Sequence, residues 1–136
     1  MNILFFLIPK NEVANVYDHY KVRQALEVME FHKYSSIPIL SRDGKYIGTI
    51  TEGDLLWGLK KYGLFTPKDA ERIPVMEIER KLDYQPVTAD SDMKDLVTKA
   101  MDQNYVPVVD DNNNFIGIIT RKDIIGYCYD QMATPK

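Results

Sequence analysis

Hydrophobic and polar positions along this chain follow two different periods, and the same order of periods occurs twice. Residues 22–32 and 92–102 carry apolar side chains at positions i, i+3, i+4 and i+7, which predicts an amphipathic helix in each range. Each helix is followed by two short runs rich in β-branched residues, separated by a polar segment typical of a hairpin turn. These runs predict four strands, at residues 37–40, 46–51, 106–109 and 115–120. A further helix is predicted after each hairpin, at residues 52–61 and 121–131.

The two halves also match residue by residue. Ile37-Pro38-Ile39-Leu40 recurs 69 positions later as Val106-Pro107-Val108-Val109, and the same offset relates the hairpins and the helices that follow them. Extended stretches at residues 13–17 and 84–88 can supply one more strand per copy, so each copy reads β-α-β-β-α. The sequence therefore predicts an α/β fold of two repeats. Their predicted ranges are 1–65 and 66–136, with a partly packed linker at about 62–83.

The linker carries apolar residues that are expected to pack rather than to form a free tether. They are Leu64, Phe65, Ile73, Val75, Met76 and Ile78. Gly63, Pro67 and Pro74 interrupt regular structure between them. We expect residues 73–76 to open the second repeat, as residues 5–8 open the first.

Composition and charge narrow the class of protein. The chain has 136 residues, of which 45% are hydrophobic, and a net charge of −3, which disfavours binding to nucleic acid through phosphate contacts. Cys128 is the only cysteine, so we expect a reducing compartment, and His19 and His32 belong to no ligand-spaced metal cluster. The apolar run at residues 3–8 is shorter than the roughly 20 residues of a membrane span and lacks the basic start of a signal peptide. We therefore expect a cytoplasmic protein without membrane contact.

A seven-residue pattern, G-x-I-T-x-x-D, stands at the predicted strand-to-helix junction of both copies, at residues 48–54 and 117–123. One interpretation is a helix capping box, in which the Thr is the N-cap and the Asp answers from the third helical position. The other is an anion site, because a helix N-terminus presents unpaired N–H groups and partial positive charge. A Thr hydroxyl can donate to a phosphate oxygen, and an Asp carboxylate can accept from both hydroxyls of a ribose. The pattern therefore also suits a nucleoside phosphate.

The doubled order of I-P-I-L or V-P-V-V followed by G-x-I-T-x-x-D resembles a tandem pair of CBS (cystathionine β-synthase) domains, called a Bateman module, over roughly residues 7–131. The resemblance implies two repeats packed about a pseudo-twofold axis and a regulatory rather than catalytic role. It also implies an adenosyl ligand such as AMP, ADP, ATP, S-adenosylmethionine or cyclic di-AMP, with no obligatory cofactor.

Carried over by position, the resemblance implies two ligand motifs. In the second motif, the residues are Gln85, Pro86, Tyr105, Val106, Pro107, Thr120, Arg121, Lys122 and Asp123. In the first motif, they are Asn15, Ser36, Ile37, Pro38, Thr51 and Asp54. The Asp residues would bind ribose, the Thr residues would face phosphate, the residues at each Pro would flank adenine, and the opening strands would offer main-chain groups to the base edge. For Tyr105, stacking on the base and packing in the core both stay open.

The two motifs are not equivalent in charge. The second contains Arg121 and Lys122, which are natural partners for phosphate, whereas the first has Glu52-Gly53 at these positions. Pro86 also stands where the first copy has Asn15, which changes the main-chain donors on offer. We therefore expect the second motif to be the preferred ligand site.

Two functions stay open. The first is a stand-alone nucleotide sensor that passes its signal to a separate effector protein, and the second is a ligand-free homodimerisation or protein-interaction scaffold. The apolar helix faces at residues 55–59 and 124–127 predict a homodimer in both cases. An enzyme is disfavoured, because the sequence has no nucleophile paired with a base and no Walker-type phosphate loop.

Overall fold

The computed structural model describes residues 2–63 and 66–133, which fold into two compact units. The repeat-1 unit is Ala14–Asp83, and the repeat-2 unit combines Met1–Val13 with Tyr84–Lys136. Both units contain strands and helices, so the predicted α/β class is confirmed. The repeat boundary at residue 65 stays a prediction about the sequence, and Leu64 and Phe65, expected to pack, lie outside the described residues.

The regular elements follow the predicted order. The strands are β1 (Ile8–Pro9), β2 (Val16–Tyr17), β3 (Ser36–Leu40), β4 (Tyr46–Thr51), β5 (Val87–Thr88), β6 (Tyr105–Val109) and β7 (Phe115–Thr120). The α-helices are α1 (Val22–His32), α2 (Glu52–Tyr62), α3 (Pro67–Ala70), α4 (Met93–Ala100) and α5 (Arg121–Ala133). The helix predicted over 92–102 is shorter than expected, because the chain leaves it through a tight turn in which Asp102 and Gln103 both donate their N–H to the carbonyl of Lys99.

The repeat-1 unit contains a sheet of three strands in the order β2-β3-β4, in which β2 runs parallel and β4 antiparallel to β3. The central strand β3 is buried along its whole length, which explains its apolar run. Helix α1 turns Val22, Ala25 and Met29, spaced by three and four positions, into the same core.

The linker completes the core of the repeat-1 unit. Ile73, Val75 and Ile78 are buried there as expected, whereas Met76 is 38% exposed and the expectation for it was wrong. The main chain is pinned by two bonds of 2.8 Å, from Val22 N to the carbonyl of Ile73 and from Val75 N to the carbonyl of Tyr20. Residues 73–76 therefore pack with the repeat-1 unit, and their role as the opening of the second sequence repeat stays a prediction.

The repeat-2 unit contains a sheet of four strands in the order β1-β7-β6-β5. Its fourth strand comes from the amino-terminal segment, because Ile8 of β1 pairs antiparallel with Ile118 of β7. Ile3 is fully buried in the core of this unit, and the Phe6 ring meets the Tyr127 ring edge to face with 5.6 Å between centroids. Residues 5–8 therefore pack with the repeat-2 unit, and their role as the opening of the first sequence repeat stays a prediction.

A glycine in each motif lets another segment lie directly on the strand. At Gly117, φ is +154° and a Cβ would overlap the carbonyl oxygen of Ile8. A Cβ at Gly48 would overlap Oδ1 of Asp83 in the linker. Close packing therefore requires glycine at Gly117, where the neighbour is main chain, whereas at Gly48 the neighbour is the end of a side chain.

No helix in the described part of the chain combines the length and the hydrophobicity needed to cross a membrane.

Candidate functional site

The second motif presents an unused carboxylate at the start of a helix. Thr120 ends β7, and its Oγ1 accepts the N–H of Asp123 at 3.2 Å. The Asp123 side chain is half-buried, and within residues 2–63 and 66–133 no hydrogen bond or ion pair involves its carboxylate. Only half of a capping box has formed, so the Asp123 oxygens stay able to accept hydrogen bonds from a ligand.

The first motif contains the complete capping box. Thr51 Oγ1 accepts the N–H of Asp54, and Asp54 Oδ2 accepts the N–H of Thr51, both at 3.1 Å. Asp54 Oδ1 accepts a further bond of 3.2 Å from the N–H of Lys81. Asp54 is 5% exposed, so both of its oxygens are committed to the main chain in a buried setting.

Arg121 binds the end of a helix in its own unit. Its Nε donates to the carbonyl oxygens of Ala100 at 2.8 Å and Gln103 at 3.0 Å, just beyond the end of α4. A cation is favourable there because the last carbonyls of a helix carry partial negative charge. The side chain expected to meet phosphate therefore also joins α4 to the start of α5, while Lys122 is exposed beside it.

A buried glutamine that the sequence analysis did not single out occupies the expected base-edge position. Gln103 Oε1 accepts the N–H of Gln85 at 2.8 Å, and Gln103 Nε2 donates to the carbonyls of Gln85 and Tyr105, both at 3.2 Å. Gln103 is 4% exposed. The main chain of Gln85 was expected to contact adenine. Its N–H and its carbonyl are both bonded to the side-chain amide of Gln103.

The residues expected to flank adenine in the second motif are mostly buried. Tyr105 is 5% exposed, and its ring packs on that of Tyr84 with 5.0 Å between centroids. Val106 and Pro107 are buried in β6, and Pro86 is half-buried. For Tyr105, this burial agrees with packing in the core, and its ring is not exposed for stacking on a base.

In the first motif, the flanking residues Ser36, Ile37 and Pro38 are buried in β3. Asn15 is half-buried, and its Nδ2 is the one buried side-chain polar atom in the described part of the chain without a hydrogen-bond partner. A groove of about 160 Å³ runs beside α2, and of the predicted ligand residues only Asp54 lines it. The described residues contain no cluster of His, Cys, Asp or Glu able to hold a metal ion.

Comparison with known proteins assigns the chain to a family. The family model of the CBS domain matches it twice, at residues 8–61 and 75–130. An uncharacterised protein of Methanocaldococcus jannaschii, MJ1426, is 27% identical over 81% of this chain and 82% of its own length. The crystal structure of CbpB in complex with c-di-AMP superposes with a TM-score of 0.81 at 25% identity, covering 97% of this chain and 87% of that one. The structure of CBSX2 in complex with AMP has a TM-score of 0.74 at 19% identity, covering 96% and 98%.

Each of the two family matches contains one G-x-I-T-x-x-D junction. The chain belongs to the CBS domain family and is a tandem pair of CBS domains.

Proposed function

We propose that this chain is a regulatory module that binds an adenosine-type ligand and has no catalytic site of its own. The observation that carries the proposal is the unused Asp123 carboxylate one turn into α5, beside the Thr120 hydroxyl. A carboxylate in this position can accept both ribose hydroxyls in charge-assisted bonds, and the helix N-terminus favours the phosphate of the same ligand. Two relatives of the same fold, CbpB and CBSX2, are complexes with c-di-AMP and AMP, which supports this ligand class.

The second motif is proposed as the principal site. It has the available carboxylate and the exposed cation of Lys122, whereas the first motif has Glu52 at its helix start and a fully bonded Asp54. The module would act as a sensor in the cytoplasm, where its lone cysteine would remain reduced, and would pass its signal to a separate effector protein.

Calorimetric titration with AMP, ADP, ATP, S-adenosylmethionine and cyclic di-AMP tests the proposal on protein freed of co-purified nucleotides. We expect at least one of these ligands to bind, and Asp123→Asn to weaken its binding by about tenfold or more, because a charge-assisted bond is lost. Asp95→Asn is the matched control, since Asp95 occupies the same third helical position in α4 outside both predicted motifs. No binding by the wild-type chain, or equal binding by Asp123→Asn, would contradict the proposal.

A second candidate function, homodimerisation without a ligand, is favoured by a stripe on α5. Ile125, Tyr129 and Met132, spaced by four and three positions, are 58%, 69% and 86% exposed. Large exposed apolar side chains on one helix face are typical of protein contacts. We propose that this face forms a homodimer whether or not a ligand binds.

Sedimentation velocity tests the dimer. Ile125→Lys should shift the chain toward the monomer, whereas Leu82→Lys, at an exposed leucine in the linker, should leave the distribution unchanged. A wild-type chain that is monomeric at all concentrations would remove the scaffold function.

A further inference from the structure

The linker is fitted to the first motif at three successive points. A Cβ at Gly48 would overlap Oδ1 of Asp83, the Asp54 carboxylate accepts the N–H of Lys81, and a Cβ at Gly58 would lie 2.7 Å from Cδ1 of Ile78. These three residues of the repeat-1 unit are the strand glycine, the predicted ribose ligand and a glycine on the second turn of α2. Each of them gives room or a hydrogen bond to residues 78–83.

The linker is also ordered at this place by its own side chains. Arg80 Nε and Nη2 donate to the two carboxylate oxygens of Asp83 at 2.6 and 3.1 Å, and the side chain of Arg80 is 16% exposed. The hydrogen bonds that Arg80 donates to Asp83 raise the pKa of the Arg80 guanidinium above its usual value. Ile78 is 2% exposed and belongs to the core of the repeat-1 unit. The segment is therefore held from both sides of Lys81.

In the second copy the amino-terminal segment lies on the strand glycine, with Ile8 against Gly117, but no described residue donates to the motif aspartate. Asp123 accepts no hydrogen bond from the described residues, and the position of Gly58 is taken by Tyr127, whose ring packs on Phe6. Among the described residues, the bond that Lys81 donates to Asp54 therefore has no counterpart in the second copy. Two motifs with the same G-x-I-T-x-x-D pattern have thus acquired different surroundings.

We propose that the first motif is a clamp for the linker and not a nucleoside site, so that each chain binds one adenosine-type ligand, through the second motif. This stoichiometry rests on the proposed function, whereas the clamp stands on the contacts of Asp54 alone. A ribose would have to share the Asp54 oxygens with the N–H groups of Thr51 and Lys81, on a residue that is only 5% exposed. Both copies have the G-x-I-T-x-x-D pattern, but in the first copy its aspartate binds the linker.

Amide exchange in the free protein tests the clamp directly. Followed by NMR, the N–H of Lys81 in the wild-type chain should exchange about tenfold or more slowly than that of an exposed linker amide such as Leu82, although both side chains are exposed. Asp54→Ala should remove most of this protection, because it removes the acceptor of the Lys81 N–H, and Asp123→Ala should leave it intact. Exchange at Lys81 as fast as at Leu82 in the wild type would overturn the clamp without any variant having to fold.

Titration with AMP tests the stoichiometry. We expect one AMP per chain, with affinity unchanged within about threefold in Asp54→Asn and lowered by about tenfold or more in Asp123→Asn. Two AMP per chain, or a loss in Asp54→Asn equal to that in Asp123→Asn, would overturn the inference. If the wild type bound no AMP while Lys81 stayed protected, the proposed ligand class would fail for AMP and the clamp would stand.

Discussion

Replacing each motif aspartate by alanine should affect stability very differently. Asp54→Ala removes a carboxylate that is 5% exposed and accepts two main-chain hydrogen bonds, from Thr51 and Lys81. Each N–H left without its partner destabilises the fold by about 1–3 kcal/mol, and water reaches both partly exposed donors, so we expect a total of about 2–3 kcal/mol. Asp123→Ala removes only the interaction of a half-buried charge with the start of α5, worth about 0.3–1 kcal/mol.

Urea unfolding followed by far-ultraviolet circular dichroism measures both losses. In thermal unfolding of a chain of this size, the same losses of free energy correspond to a fall in Tm of about 6–12 °C for Asp54→Ala and of less than about 4 °C for Asp123→Ala. Asp95→Ala is the control, because Asp95 accepts a single exposed main-chain bond from Asp92 at 3.3 Å and should fall between the two. Equal losses at Asp54 and Asp123 would refute the assignment of one aspartate to the fold and the other to a ligand.

Three further substitutions test the contacts that surround the motifs. Gln103→Leu keeps the volume but removes the acceptor of the Gln85 N–H and a donor to two carbonyls, so the free energy of unfolding should fall by about 2–4 kcal/mol, and a loss below about 1 kcal/mol would show that the buried amide is dispensable. Arg121→Met keeps the apolar stem and removes the donor to the end of α4, so urea unfolding should show a loss of about 1–2 kcal/mol, whereas unchanged stability would return Arg121 to the role of a phosphate ligand only. Gly48→Ala should displace Asp83 and lower stability by about 1–3 kcal/mol with faster amide exchange at Lys81; unaltered exchange there would mean that the linker adjusts without leaving the motif.

The regular elements could be predicted from the sequence because their signals are local. Helix α1 begins and ends at the residues that the apolar period indicates, and β4 and β7 match their predicted ranges. Thr51 and Asp54 could be recognised as a capping box from their spacing alone, and the structure contains that box. The doubling of this pattern was sufficient to identify the family.

Contacts between distant parts of the chain were beyond the sequence analysis. Nothing in the run at residues 3–8 indicates that it pairs with β7 and not with the repeat that follows it, because its apolar residues would suit either core. Gln103 stands between Asp102 and Asn104 in a stretch that reads as a polar turn, so its burial has no local signal. Arg121 was interpreted from its charge, whereas its partners are carbonyls 18 and 21 residues away in sequence.

The placement of the amino-terminal segment has a consequence for the order of folding during synthesis. The repeat-1 unit is continuous in sequence, so it can fold as soon as residue 83 has left the ribosome. Residues 2–13 are synthesised before that unit, yet Ile8 must wait for Ile118, which is synthesised 110 positions later. We therefore expect residues 2–13 to become ordered late in folding, and their apolar side chains to stay accessible to chaperones or to aggregation until residue 118 has been synthesised.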